Sequence, residues 1–420
     1  MSRPPARVPA AVVAVLAAVA AMLLGASGAH AQSSSASPPQ ITAPSAILVQ
    51  PDTGDVVYQR DANERRPIAS TTKIMTALVV RDELGLDDVV RAIDYRATPA
   101  ESLLGQAAGE RFTVRDELRA LLLVSANDAA ATLAVRAGGT RAKFVALMNR
   151  KARALGLRNT HFDNPIGLDG PGNYSTASDL AKLALIARRD PFLRETMNRP
   201  DATLRSGARV RTIQNRNTLV DTQPFVNGVK TGHTNVAGYL LVGSASRDGV
   251  EVVSVVMKEP SEAARDRDSL ALLRYGVSRY VRRTGVRRGE QLATATLQYR
   301  DERVALVAER AVRAVTRRGE RLAIRVSGAP TTIAGPLPRG ARVGTVEVSL
   351  RGRRVASVPL VTESAVDAAT AVERLSDFVS RPLTIVLLVA FVVASVLLVA
   401  LRRRAGQEAR RRPRRAATGP

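Results

Sequence analysis

From position 382 to 401 the chain runs through twenty residues without a charge, rich in valine and leucine, and then meets Arg402, Arg403 and Arg404. A helix of that length spans a hydrocarbon layer ~30 Å thick, so the stretch predicts a C-terminal transmembrane helix. Arginines packed against one end of a span predict that this end faces the cytoplasm. The Arg-rich tail at 402–420, with Arg410, Arg411, Arg412, Arg414 and Arg415, then reads as a cytoplasmic topology signal beside anionic lipid. The other end agrees. Arg3 and Arg7 precede an apolar run from Ala10 to Leu24, and Ala29-His30-Ala31 forms a small-x-small cleavage site, so residues 1–31 read as a secretory signal peptide. The expected localisation is the cell membrane, single-pass, with everything from 32 to 381 extracytoplasmic.

With 420 residues there is room for one sizeable core and a smaller domain. The formal charge of +24 invites a nucleic-acid reading, but the basic residues are spread through every segment. Aromatic residues make up only 3% of the chain, too few for base-stacking platforms, so no nucleic-acid partner is expected. The absence of cysteine removes disulfides, thiol nucleophiles and cysteine-ligated metals. Nothing in the sequence sets an oligomeric state.

Residues 32–45, with Ser33, Ser34, Ser35, Pro38, Pro39 and Pro44, read as a polar disordered linker. A first domain is expected over 46–284. It opens with short β-branched runs around Asp52-Thr53-Gly54-Asp55, a hairpin signal, and a helical pattern follows from Pro67 through Ile68, Met75, Leu78 and Val79. Further helices fit 114–124, 128–136, 141–154 and 178–187. Two β-rich runs, 238–246 and 250–257, are joined by the turn dipeptide Asp248-Gly249, and 268–282 reads as a closing helix. From 285 to 365 the character changes to short alternating segments punctuated by Gly and Pro, which predicts a small all-β domain. Residues 366–381 read as a polar helical connector into the membrane.

Three constellations carry chemistry. In Ser70-Thr71-Thr72-Lys73 the serine and lysine lie three apart on a helix, which brings the amine within reach of the hydroxyl. Lysine can act as the base only with a pKa far below ~10.4, which burial and a second cation supply. Only 6 of the 62 basic residues are lysine, and arginine could not take the proton. In Ser125-Ala126-Asn127 a hydroxyl can relay a proton and an amide can hold a substrate backbone and position Lys73. In Lys230-Thr231-Gly232 a charged amine beside a hydroxyl suits a carboxylate, and glycine lets a substrate backbone lie against a strand edge. Each triplet alone also fits an ordinary solvated helix face, interhelical turn or polar loop; the order and context of all three make the signal.

Ser-x-x-Lys, Ser-x-Asn and Lys-Thr-Gly in this order are the set of class A β-lactamases and penicillin-binding proteins, with Ala126 where the usual triplet has Asp. Together with Asn164-Pro165-Ile166-Gly167-Leu168, the run from Gly228 to Thr234, and 343–348 and 358–361 in the C-terminal part, they make the chain resemble the low-molecular-mass penicillin-binding proteins that act as serine-type D-alanyl-D-alanine carboxypeptidases. The resemblance covers about residues 45–365. It implies an α/β (α+β) penicillin-binding/β-lactamase-like serine transpeptidase fold, a mostly antiparallel sheet flanked by helices, with a second, small all-β domain. It also implies roles: Ser70 as nucleophile, Lys73 as its neutral base, Ser125 and Asn127 as relay and positioning pair, and Lys230 with Thr231 as a charged clamp on the terminal carboxylate. Gly232 belongs to the same substrate-binding strand, and the backbone amides of Ser70 and His233 would form the oxyanion hole. Peptidoglycan stem peptides and β-lactams are the implied partners, and no metal or organic cofactor is implied.

Other readings share parts of this constellation. A D,D-endopeptidase uses the same residues on cross-linked peptides. A class A β-lactamase needs a glutamate to activate the deacylating water, and no Glu-x-x-Leu-Asn segment follows Ser125. A non-catalytic penicillin sensor needs a cytoplasmic effector, for which the 19 residues after Leu401 leave little room.

Overall fold

The computed structural model describes residues 37–411. The signal-peptide reading of 1–31 and the last nine residues of the tail lie outside the described residues. A five-stranded antiparallel sheet forms the centre of the first domain, in the order Asp55–Arg60, Ser45–Gln50, Val250–Glu259, Gly238–Arg247, Val226–Thr234. The two hairpins expected from the sequence turn where predicted, and a third joins Val226–Thr234 to Gly238–Arg247. At the second, Asp248 and Gly249 both take positive φ, 53° and 75°, the turn whose twist matches its strands.

Strand Val250–Glu259 shows how the sheet is covered. Val253, Val255 and Met257 enter one apolar cluster, while Val250, Val252 and Val256 enter another. A period of two sends alternate side chains to opposite faces, so a strand with valines on both faces needs helices on both sides. Helix Glu262–Arg279 packs on one face through Leu272, Leu273 and Val277, and helix Ala177–Ala187 packs on the other through Leu180, Leu183 and Ala184. Beyond the second face stand Lys73–Glu83, Val114–Leu123, Asn127–Gly138 and Arg141–Ala154. Every residue from Lys73 to Val80 is buried, so the helix carrying Lys73 is surrounded on all sides by other elements.

Four expectations need correction. Pro67 does not start a helix: Arg66–Pro67 pairs with Tyr174–Ser175 as a short antiparallel ladder, and the turn that follows is a 3₁₀ segment, Ala69–Thr72, leading into the α-helix at Lys73. The linker ends before residue 45, because Ile41 and Ala43 are buried and the Asp268 carboxylate accepts from the Thr42 hydroxyl at 2.9 Å and the Ala43 amide at 3.1 Å. The closing helix is Glu262–Arg279, shifted toward the N-terminus of 268–282, and Ser261 caps it by accepting from the Ala264 amide at 3.1 Å. The first domain does not run to 284: residues Tyr280–Val286 form a strand paired with Val312–Arg317.

The C-terminal part is all-β, as expected. A six-stranded sheet in the order Ala323–Ser327, Arg342–Leu350, Arg353–Thr362, Arg303–Ala308, Gln291–Leu297, Thr332–Ile333 has its own apolar cluster, including Val286, Leu306, Val346, Val348, Val358 and Leu360. It is held to the first domain at Asp55, whose carboxylate accepts from Tyr280 Oη at 2.7 Å, Arg317 Nε at 2.9 Å and Arg351 Nη1 at 2.6 Å. Thr370 and Glu373 form a capping box at the start of helix Ala371–Ser380. Helix Pro382–Arg411 follows. Its first 26 residues are long and apolar enough to cross a membrane and bury nothing in the protein, which suits a membrane anchor.

Candidate active site

Ser70 and Lys73 meet through the 3₁₀ turn. With three residues per turn, positions three apart eclipse, which places the Ser70 hydroxyl over the lysine. Lys73 Nζ, on a side chain with no solvent exposure, lies 2.9 Å from Ser70 Oγ, 2.7 Å from Asn127 Oδ1 and 2.7 Å from the Ile166 carbonyl oxygen. Two of these partners can only accept, and the third can donate or accept. A neutral amine has two N–H groups and one lone pair, so it satisfies all three while receiving the serine proton along the third contact. Burial, with the charge of Lys230 second, drives the Lys73 pKa well below that of free lysine.

The Ile166 carbonyl is aimed by Asn164. Its Oδ1 accepts from the amides of Ile166, Gly167 and Leu168 at 3.1, 2.7 and 3.1 Å, which folds the segment into a tight turn. Gly167 has φ +97°, and a Cβ there would stand 2.0 Å from the Ala69 carbonyl oxygen, so only glycine lets this turn close on the nucleophile segment.

Ser125 sits between helices Val114–Leu123 and Asn127–Gly138 at φ 64°, a strained conformation for a non-glycine residue that costs of order 1–3 kcal/mol. Its hydroxyl is buried without a hydrogen-bond partner and lines the same cleft as Ser70. The Lys230-Thr231-Gly232-His233 segment lies on Val226–Thr234, the sheet's edge strand, in register with Val242, Leu241, Leu240 and Tyr239. The cross-strand ring of Tyr239 stacks on His233 at 3.9 Å between centroids. Gly232 has a packing role beside the one expected from the sequence. A Cβ on it would come within 3.2 Å of the Ile68 carbonyl oxygen and 3.3 Å of Ala69 Cβ and Thr71 Cγ2, so the missing side chain lets the strand approach the nucleophile turn itself.

Ser70, Ser125, Thr231, His233, Arg216 and Arg265 border a cleft of about 450 Å³. Lys230 is buried at its side, its Nζ donating to the Thr231 carbonyl oxygen at 3.0 Å. Burial first, then the charges of Arg216 and Arg265, lower its pKa to about 7. The charge expected of Lys230 from the sequence is therefore sensitive to pH in the free site. An arriving carboxylate would favour the protonated form. Arg216 and Arg265 were not foreseen, because a chain so rich in arginine gives no local signal for two of them. Arg265 is tied to Glu262 at 2.7 Å and Asp266 at 2.8 Å, and Arg216 Nε donates to the Val124 carbonyl oxygen at 3.0 Å.

The fold and this site have close parallels. Residues 32–261 match the D-alanyl-D-alanine carboxypeptidase family, peptidase family S11, and residues 280–368 match the C-terminal domain of penicillin-binding protein 5. The D-alanyl-D-alanine carboxypeptidase DacD of Escherichia coli K12 is 33% identical over 357 residues, 81% of this chain and 91% of that protein. DacB2 of Mycobacterium tuberculosis, also a D-alanyl-D-alanine carboxypeptidase, is 42% identical over 214 residues, covering 50% of this chain and 73% of its own length. Among solved structures, penicillin-binding protein 5 from Haemophilus influenzae superimposes with a TM-score of 0.58 at 31% identity, over 79% of this chain and 99% of that one.

Proposed function

The chain belongs to the D-alanyl-D-alanine carboxypeptidase family, and from that membership and the geometry above we propose that it removes the terminal D-alanine from peptidoglycan pentapeptide stems through a Ser70 acyl-enzyme, which β-lactams also form. The observation that carries the reading is the fully buried Lys73 Nζ held by the Asn127 and Ile166 oxygens at 2.9 Å from Ser70 Oγ, where burial and the charge of Lys230 favour the neutral amine whose lone pair can take the serine proton. Lys73 takes the Ser70 proton as Oγ bonds to the carbonyl carbon of the penultimate D-alanine. The C–N bond to the last residue then breaks, and the proton passes to the leaving amine, with the unpartnered Ser125 hydroxyl as relay. Water reverses the sequence on the ester and regenerates Ser70. The backbone amides of Ser70 and His233 receive the oxyanion, a donation worth ~2.7–4 kcal/mol apiece in comparable sites. Asn127 holds Lys73 and the substrate backbone. Thr231, Arg216 and Arg265 line the part of the cleft that takes the free carboxylate, with the Lys230 charge buried beside them, and Gly232 keeps the strand edge close to Ser70.

The test is incubation of the full-length protein with pentapeptide-bearing muropeptides and identification of what is released. Free D-alanine from monomers is the expected product. Release of monomers from cross-linked dimers without free D-alanine would make the enzyme an endopeptidase instead.

Helix Pro382–Arg411 anchors this domain as a single-pass segment, with Arg402, Arg403 and Arg404 on the cytoplasmic side and the catalytic domain outside. Protease added to intact cells is expected to digest residues 46–365 and to spare a tag placed after Pro420. Digestion of the tag with protection of the domain would invert the orientation.

A further inference from the structure

We propose that Glu101 is a positioning residue for the reaction: its carboxylate fixes which end of the Asn127 amide faces Lys73. The inference rests on the acyl-enzyme reading above and adds a residue that no motif contains.

Glu101 lies on the loop between the short strands Val89–Arg91 and Arg111–Thr113. The loop is stapled to helix Asn127–Gly138 at its first turn. The Asp128 carboxylate accepts from the backbone amides of Leu104, Gly105 and Gln106 at 3.0, 2.9 and 3.2 Å, and the Asn127 backbone N–H donates to the Ser102 carbonyl oxygen at 2.8 Å. From that fixed loop, Glu101 Oε2 accepts from Asn127 Nδ2 at 2.7 Å and from the Tyr95 hydroxyl, and Oε1 accepts from the Thr98 amide at 3.0 Å and its hydroxyl at 3.2 Å.

The consequence is a matter of donors and acceptors. A carboxylate only accepts, so the nitrogen end of the Asn127 amide must face Glu101, and its oxygen must then face Lys73 Nζ, 2.7 Å away. Turned over, the amide would set an N–H against the lysine and an oxygen against the carboxylate, unfavourable at both ends. Glu101 is poorly suited to act as a base itself. Although burial alone would raise its pKa, hydrogen bonds from Tyr95, Thr98 and Asn127 hold it below the usual range, and four donors occupy both of its oxygens.

The groups whose charge reaches Lys73 are Lys230, Glu101, Arg216 and Asp128, so a pH profile separates an orienting role from a merely structural one. The rate of acylation by a fluorescent penicillin is measured against pH in the full-length protein, with thermal unfolding alongside. Glu101→Ala is expected to lower the plateau about tenfold or more, because nothing then holds the amide. The ascending limb should move to lower pH, since a negative charge and an aimed oxygen that favour the ammonium are both lost. Glu101→Gln, whose carbonyl can still accept from Asn127, should stay within about threefold of the native rate.

The decisive background is Asn127→Asp. A carboxylate at 127 has no orientation to lose and lies beside that of Glu101, so removing Glu101 there should raise the rate. Should Glu101→Ala fail to fold, Glu101→Gln in the Asn127→Asp background carries the same test. An unmoved limb, or a loss of similar factor in both backgrounds, overturns the proposal. Failure of the native protein to be acylated at Ser70 would instead overturn the functional reading and leave this geometry in place.

Discussion

Ser70→Ala is expected to abolish covalent labelling by a fluorescent penicillin and to reduce D-alanine release by at least about a thousandfold, while the protein still folds. Folding survives because the serine side chain makes one hydrogen bond, to Lys73 Nζ at 2.9 Å, and alanine fits the same 3₁₀ turn. The loss is large because no second nucleophile is poised. Ser125, another of the hydroxyls that line the cleft, has no hydrogen bond to a base, and Thr71 and Thr72 are fully buried, with Thr71 Oγ1 donating to the Ile68 carbonyl oxygen at 2.6 Å. Mass spectrometry of the drug-treated native and variant proteins checks this. A drug adduct on any residue other than Ser70 in the native protein, or an undiminished adduct in the variant, would remove Ser70 from its role.

How much of this was legible in the sequence depends on the range over which each signal acts. Hairpin turns and helices such as Arg141–Ala154 rest on neighbours in the chain, and they were read closely. The long apolar C-terminal helix rests on composition alone and is equally plain. Errors came where tertiary pairing overrode a local rule. Pro67 has the right φ for a helix start, but its partner in the ladder is Tyr174, more than a hundred residues away. Ile41 and Ala43 look like the end of a polar linker until Asp268, also distant, takes the Thr42 and Ala43 groups. The same division runs through the site. Ser70 and Lys73 share one turn and could be paired by spacing, whereas the Ile166 carbonyl is a backbone atom with no side-chain signature. Glu101 stands in a loop whose only mark is the fold that carries it to Asn127. Gly232 is found by motif, but its approach to the nucleophile turn is invisible from residues 226–234 alone.

The two lysines should respond in opposite ways to the same substitution. Lys73 is needed neutral, so Lys73→Arg should lose at least about a thousandfold in kcat/KM, since a guanidinium keeps its proton at any accessible pH and has no lone pair to offer Ser70. Lys230 is needed charged, so Lys230→Arg should keep part of its activity, losing about ten- to a hundredfold from the poor fit of a larger group in a buried site. The pH profile makes the contrast sharper. In the free native enzyme kcat/KM should rise as Lys73 loses its proton, well below the range of a free lysine, and fall as Lys230 loses its own near pH 7, where burial and the charges of Arg216 and Arg265 have brought it. The sign follows from the roles: deprotonation creates the base at one lysine and destroys the cation at the other. Lys230→Arg should therefore abolish the descending limb and leave the ascending one, an outcome that loss of fit alone could not produce. A peptide with its terminal carboxylate amidated removes the partner of that charge, so it should be a poor substrate for the native enzyme and only slightly poorer for Lys230→Arg. Measuring kcat/KM against pH for both variants on free-acid and amidated peptides tests the assignment. Equal losses at the two positions, a descending limb that survives Lys230→Arg, or indifference to amidation would show that the carboxylate is bound by other groups, with Arg216 and Arg265 the next to test.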